Sequence, residues 1–396
     1  MKTKLTRHLP HLALLIGLHA TAAPWRPTEP TQVLEVLPTR LLEGTRETEL
    51  RAMRDKLTKQ PGDAETAVAL SRQYLLQARA SSDPRYLGYA EAALAPWAMQ
   101  ARIPPQVRLM RAVLAQRNHQ FDRAMVDLDQ VVSERPHDAE ALLTRATIRQ
   151  VRGDYAAARK DCSALLTLDT LLLGAICKAQ VDSLSGNAQT SLALLQKLSE
   201  RQADSLTPSI REWLWLAQAD IAQRLGDKAA TEAAFQQMQS QKEAGPESRV
   251  AYADYLLEQK RYQEVITLTS NDVRNDNALL RLALAEKALK LPSAAGHIAE
   301  IGERFDAARL RGDRVHLREE ARFRLGLLGD AKGALALAQA NWQVQREPAD
   351  VRLLLEAAIA AGNKEVASQV ATWIKQTQMQ DVALSPLLQS LLGAKS

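Results

Sequence analysis

Apolar and small residues recur at every third or fourth position along nearly the whole chain. In RNHQFDRAMVDLDQVVSERPHDAE, residues 117–140, the side chains of Phe121, Ala124, Leu128 and Val131 fall on one face of a helix, and the pattern stops at Pro136 and Asp138. Much of it is written again 34 residues later, as VRGDYAAARKDCSALLTLDT, residues 151–170. Val, Ile, Thr, Tyr and Phe do not gather into alternating runs, whereas Ala, Leu, Gln, Glu, Arg and Lys dominate at helical spacing. The pattern predicts an all-helical chain.

Turn residues divide this pattern into helix pairs. A short turn separates the two helices of a pair at Asn118-His119, Gly153-Asp154, Gly186-Asn187, Gly226-Asp227, Lys260-Arg261, Lys290-Leu291, Gly329-Asp330 and Gly362-Asn363. A second kind of turn, between pairs, reads Pro61-Gly62-Asp63, Pro136-His137-Asp138 and Pro348-Ala349-Asp350. Proline there cannot extend the preceding helix, and the aspartate can accept from the first free amides of the next one. Unit starts then fall near residues 64, 105, 139, 172, 212, 246, 276, 315 and 348, at intervals of 30 to 41.

A period near 34 made of helix, turn and helix resembles the tetratricopeptide repeat family. In the unit from 105, Ala112, Ala124, Leu128 and Pro136 stand where that family places a small residue, Ala, a large apolar residue and Pro. The unit from 139 offers Ala146, Ala158 and Cys162, with Gly153 and Tyr155 at the turn, and the unit from 212 offers Trp215, Ala219, Gly226 and Phe235. There are departures: Pro is missing from most turns between units, Ser191 and Thr231 replace Ala, and the unit from 64 holds an insertion, ARASSDPRY, between its helices. The resemblance implies an all-α, right-handed superhelical solenoid in which each pair, unable to bury its own apolar face, is completed by its neighbour. The expected organisation is a signal peptide (1–22), a Pro-rich leader (23–46), the repeat solenoid (47–381) and a C-terminal capping helix and tail (382–396).

Composition changes the picture at the N-terminus. MKTKLTRH carries Lys2, Lys4 and Arg7 without an acid, LPHLALLIGLHA is mostly apolar, and small residues follow in ATAAPW. This is the three-part layout of a secretory signal, with cleavage after Ala22 or Ala23. Its apolar run is shorter than the ~20 residues of a bilayer span. The expectation is a bacterial protein exported to the periplasm, or alternatively secreted, with no stable membrane insertion. Without the three positive charges of that segment the net charge of +5 falls to +2. Basic and acidic residues alternate, as in LREEAR and SERPHDAE, rather than clustering as phosphate binding requires, so no nucleic-acid partner is expected.

Catalytic signatures are missing: there is no phosphate loop, no His-Glu-x-x-His, no Gly-x-Ser-x-Gly and no Cys-x-x-Cys-His. Outside the signal, His119, His137, His297 and His316 are scattered and read as turn or surface residues. Repeats continue to about residue 381, leaving no room for the lysozyme-like domain that some cell-wall lytic transglycosylases add to a helical solenoid. The chain is expected to be no enzyme and to carry neither cofactor nor metal. Cys162 and Cys177 lie on successive helices, nearly equidistant from the turn near Asp169-Thr170, and so should face each other. An exported compartment favours a disulfide between them, worth ~3 kcal/mol by the chain-entropy model, and two reduced buried thiols are the alternative.

Function is then left to a surface. Solenoids of this kind curve, with the first helix of each unit lining a groove that can hold a peptide or partner domain. Groove candidates are Gln106, Arg117, Thr144, Gln150, Trp213, Asp220 and Arg224. Trp213 would be an anchor if exposed, or else packs on the preceding repeat. The paired Lys and Asn with which some family members clamp a C-terminal carboxylate are not found at these positions. The first reading is a non-catalytic scaffold of the cell envelope that binds a protein or peptide of unknown identity. The alternative is a self-associating structural subunit with no separate ligand, and the oligomeric state stays open.

Overall fold

The computed structural model describes residues 29, 45–81, 83, 85–240, 245–313 and 315–393. The expected signal segment and most of the leader lie outside the described residues. By its internal contacts the chain divides into residues 1–51 and residues 52–396. Of the first unit, Glu29 and the opening of helix α1 (Thr45–Lys59) are described. The second unit holds the repeats.

The described residues form twenty α-helices and no strand. After α1 come nine helix pairs, here repeats 1 to 9: α2 (Ala64–Ser81) with α3 (Arg85–Ala93), α4 (Pro105–Arg117) with α5 (Phe121–Glu134), α6 (Ala139–Val151) with α7 (Tyr155–Leu165), and α8 (Leu171–Ser183) with α9 (Ala188–Gln202). They continue with α10 (Pro208–Leu225) and α11 (Lys228–Ser240), α12 (Pro246–Glu258) and α13 (Tyr262–Thr269), α14 (Asp276–Ala288) and α15 (Ala294–Leu310). The last pairs are α16 (Leu317–Phe323) with α17 (Ala331–Trp342), and α18 (Pro348–Ala360) with α19 (Lys364–Thr377), before a closing helix α20 (Leu384–Gly393). The fold is a tetratricopeptide-like all-helical solenoid.

Each pair is made by small residues and a left-handed turn. Ala112, Ala124, Ala146, Ala158 and Ala219 are all buried, as are the large residues Leu128, Trp215 and Phe235 beside them. Thr231 fits an alanine position because its hydroxyl donates to Asp227 O at 2.7 Å, leaving no unpaired polar group in the core. At the eight turns within pairs, His119, Gly153, Gly186, Gly226, Lys260, Lys290, Gly329 and Gly362 take φ between 53° and 86°. Helix starts are capped by Asp63, Asp138, Asp154, Asp227, Asp330 and Asn363, each accepting from the amide three residues on. Asp350 acts differently from Asp63 and Asp138: it lies inside α18 and accepts from Glu347 N at 2.8 Å. The insertion in the first unit is also not a loop, because α2 absorbs its ARAS portion and runs on to Ser81.

Repeats 8 and 9 fold back onto repeats 2 to 5. One apolar cluster joins Leu142, Tyr155, Cys162, Leu165 and Val181 to Val351, Leu354, Val370, Ile374 and Leu384. Backbone bonds sew the seam, from Arg346 N to Val151 O at 2.7 Å and from Val382 N to Arg224 O at 2.8 Å. These contacts set the C-terminal part of the same chain against the turns of repeats 3 to 5, at Gly153, Gly186 and Gly226.

Candidate functional site

The first helices of repeats distant in sequence meet one another, and this identifies the inner face. Arg72 of α2 holds Glu140 of α6 through two bonds of 2.8 and 2.9 Å. Arg79 of α2 and Arg117 of α4 both reach Glu247 of α12, each at 2.9 Å. Arg322 of α16 pairs with Asp254 of α12, and Arg352 of α18 with Glu258 of α12. Helix α12 is the hub. Its Glu247, Asp254 and Glu258 stand at spacings of seven and four residues, so one helical face presents three acids.

Electrostatics keep Glu247 and Asp254 of this stripe ionised. Burial opposes charge on Asp254, but Arg281 and Arg322 outweigh it and hold the carboxyl below its usual range. Glu319, which bonds Arg281, is likewise held low against its burial by Arg281 and Arg318. At Glu247 burial again opposes ionisation and Arg79 with Arg117 prevail. Asp350 goes the other way: burial pushes it up to about 6 despite Arg318, while Asn341 donates to it at 2.8 Å. The pairs at Glu247 remain accessible, with side-chain exposures of 49% for Glu247, 50% for Arg79 and 37% for Arg117.

The seven sequence-derived groove residues do not form one surface. Arg117 lies on the inner face, bonded to Glu247. Gln106 and Gln150 are half-buried, and Thr144 turns its hydroxyl back onto Glu140 O at 2.7 Å. Trp213 is half-buried against the core, its Nε1 donating to Gln180 Oε1 on the preceding repeat at 2.7 Å, so it is not a free anchor. Arg224 is 4% exposed and acts as a bolt: it donates to Ser183 O, Ser183 Oγ and Gln380 O, and its partner Asp220 is the exposed end of the set. A ligand cannot reach Arg224, because residues 380–382 cover it.

Sequence reasoning did not single out the stripe on α12, although the spacing of Glu247, Asp254 and Glu258 is visible in the sequence. Cys162 and Cys177 are joined as a disulfide between α7 and α8, with Cα atoms 5.5 Å apart. His119 sits in the first covered turn, where burial and Arg318 lower it to about 4, while His297 bonds Glu286 at 2.7 Å. Among the described residues no group of three or more His, Cys, Asp or Glu could hold a metal, and no helix is long and apolar enough to cross a membrane.

No family model matches the sequence, and no curated protein matches it. Solved structures do. A tetratricopeptide repeat protein from Parabacteroides merdae is 16% identical with a TM-score of 0.45, covering 63% of this chain and 89% of its own. IFIT1, solved with m7Gppp-AAAA, is 12% identical at 0.43, covering 88% and 87%. The APC/C hetero-tetramer Cut9-Hcn1 is 12% identical at 0.43, covering 90% and 77%. The repeat architecture itself rests on the nine helix pairs and their turns.

Proposed function

We propose that the protein is a non-catalytic scaffold of the cell envelope that holds a protein or peptide partner on the inner face of its repeats. The observation that carries this reading is the acidic stripe of α12, whose Glu247 is shared by two arginines from other repeats and stays half-exposed. Ion pairs in that setting contribute about 0–1 kcal/mol each, so the charges of a partner can replace them at little cost. A partner segment with basic residues would compete with Arg79 and Arg117 for Glu247. The secretory layout of the N-terminal sequence and the Cys162–Cys177 bond support an exported, oxidising location.

The test is affinity capture from a periplasmic extract with the exported form of the chain, run beside Glu247→Gln and followed by mass spectrometry. A partner held by the unmodified chain and lost with Glu247→Gln supports the reading. Recovery of nothing but further copies of the chain, in both arms, replaces it with a self-associating structural subunit.

A further inference from the structure

Repeats 8 and 9 carry tryptophans where the other repeats carry none. Among the described residues, Trp342 at the end of α17 and Trp373 in α19 are the two tryptophans on the second helix of any pair. Their ring centroids are 5.1 Å apart and the ring planes stand at 78°, so the indoles form a corner rather than a flat wall. The fold-back fixes that corner. Trp373 Cζ2 lies 3.2 Å from where a Cβ on Gly153 would stand, and its ring neighbours Tyr155 with centroids 6.3 Å apart. The guanidinium of Arg346, whose backbone amide bonds Val151 O, lies 5.0 Å from the centre of the Trp342 ring. Rings held in place by such packing lose little freedom when a ligand arrives.

The two indoles line an open cavity of about 560 Å³ between α17 and α19, within the size range of small-molecule sites. Buried Leu354 and Val370 supply further apolar surface to its lining. The rest is polar and exposed: Gln339 and Gln343 from α17, and Ser368, Gln369, Thr372 and Gln376 from α19. Trp213 and Trp215 spend their indole N–H groups on Gln180 and Ser199, whereas those of Trp342 and Trp373 have no partner among the described residues. The lining holds one ionisable side chain, Glu365, and neither lysine nor arginine.

We infer that this cavity binds a neutral saccharide, with a pyranose ring packed by its C–H face on an indole and its hydroxyls bonded to the glutamine amides. An anionic ligand would meet Glu365 and find no cation in the lining to offset it. An apolar helix laid across the cavity would strip water from the amides and hydroxyls without replacing their hydrogen bonds. A sugar meets both halves of the lining at once, offering ring carbons to the indoles and hydroxyls that donate and accept, as the amides do. The site is built on second helices and does not involve the acidic stripe of α12, so it stands apart from the partner proposed for the inner face.

The experiment follows the chain carrying fluorotryptophan by fluorine NMR, with signals assigned through Trp342→Phe and Trp373→Phe. The probes are short neutral oligomers of glucose, mannose, galactose and N-acetylglucosamine. The expected result is a saturating shift at Trp342 and Trp373 with at least one of them, while Trp213 and Trp215 do not move. Gln343→Ala and Gln376→Ala, both at exposed positions, should each weaken that binding about fivefold without changing Tm. Galacturonate oligomers should bind at least about tenfold more weakly than the best neutral one, because the lining offers their carboxylates no cation. No shift with any neutral oligomer overturns the proposal, as does one shared by all the tryptophans or equal binding of the galacturonate series. So does a shift of Trp342 and Trp373 that follows protein concentration without sugar, which would give the cavity to a second copy of the chain.

Discussion

Repeats 3 to 5 and repeats 6 to 7 make the same left-handed turn with different residues. At Gly153, Gly186 and Gly226, φ is 82°, 86° and 77°; at Lys260 and Lys290 it is 57° and 56°. The difference follows what lies outside the turn. A Cβ on Gly153 would meet the Trp373 ring at 3.2 Å, one on Gly186 would meet Gln378 at 2.9 Å, and one on Gly226 would meet Val382 at 3.3 Å. Lys260 and Lys290 are exposed and carry their side chains into solvent. Backbone strain alone does not demand glycine, and at these three turns a Cβ would also collide with the covering chain; His119, at a covered turn with φ 53°, keeps a side chain that stacks on Phe121. Gly329 and Gly362 complete the comparison, since nothing lies within 4 Å of their added Cβ.

The largest test of this contrast removes the bolt rather than a turn. Arg224→Met takes the guanidinium from between Ser183 and Gln380, leaving buried acceptors unmet and freeing the seam at repeat 5. We expect a loss of about 3 kcal/mol, read as a lower urea midpoint. A loss under about 0.5 kcal/mol would mean that the C-terminal repeats do not depend on this joint.

Next come the glycines themselves. Gly153→Ala combines the left-handed penalty with displacement of a rigid indole and should cost about 2 kcal/mol. Gly362→Ala carries the first term alone and should cost about 1 kcal/mol. Equal losses in the two variants, measured by chemical denaturation, would remove the distinction between covered and open turns.

Asp381 brings pH into the same seam. Burial pushes its carboxyl up to about 6, while the amide of Ala383, Arg224 and Arg352 pull it down and Asp220 pushes it further up. The folded state therefore binds the proton more tightly than the unfolded chain, so this group makes stability fall as pH rises from about 4 to about 6, with the full loss above that window. Allowing for screening of a half-buried group, Asp381→Asn should restore about 1 kcal/mol at pH 7 and nothing at pH 4. Thermal melts at the two pH values check the sign.

How much of this could be read beforehand depends on the range of the contact. All eight turns within pairs stand at the dipeptides that punctuate the sequence, because a turn is specified by one or two local residues and by the apolar period on either side. The seam was not legible. Arg224 stands at an ordinary inner position of α10, and nothing around it in the sequence says that residues 380–382 will bond to it. Repetition encodes the contact of each pair with its neighbour, whereas the fold-back joins repeats several units apart. Trp213 shows the same limit at shorter range: its packing on Gln180 of the previous repeat was one of two readings, and the spacing of WLWLAQAD could not choose between them. A clue to the seam did exist, in the run of glycine at three successive turns followed by lysine at two, but it becomes meaningful only once φ is known to be the same at all five.

The smallest effect has the opposite sign, which makes it the sharpest part of the comparison. If lysine at position 260 is tolerated because the turn is open, then Lys260→Gly removes the left-handed penalty and loses no contact, since the side chain points into solvent. Glycine also raises the entropy of the unfolded chain, and the two effects partly cancel, leaving a gain of about 0.5 kcal/mol. Lys290→Gly should behave alike, and the two gains should add because the turns lie on different repeats. A clear loss at either position would mean that the lysine touches something on that edge, and the turns of repeats 6 and 7 would then belong with the covered ones.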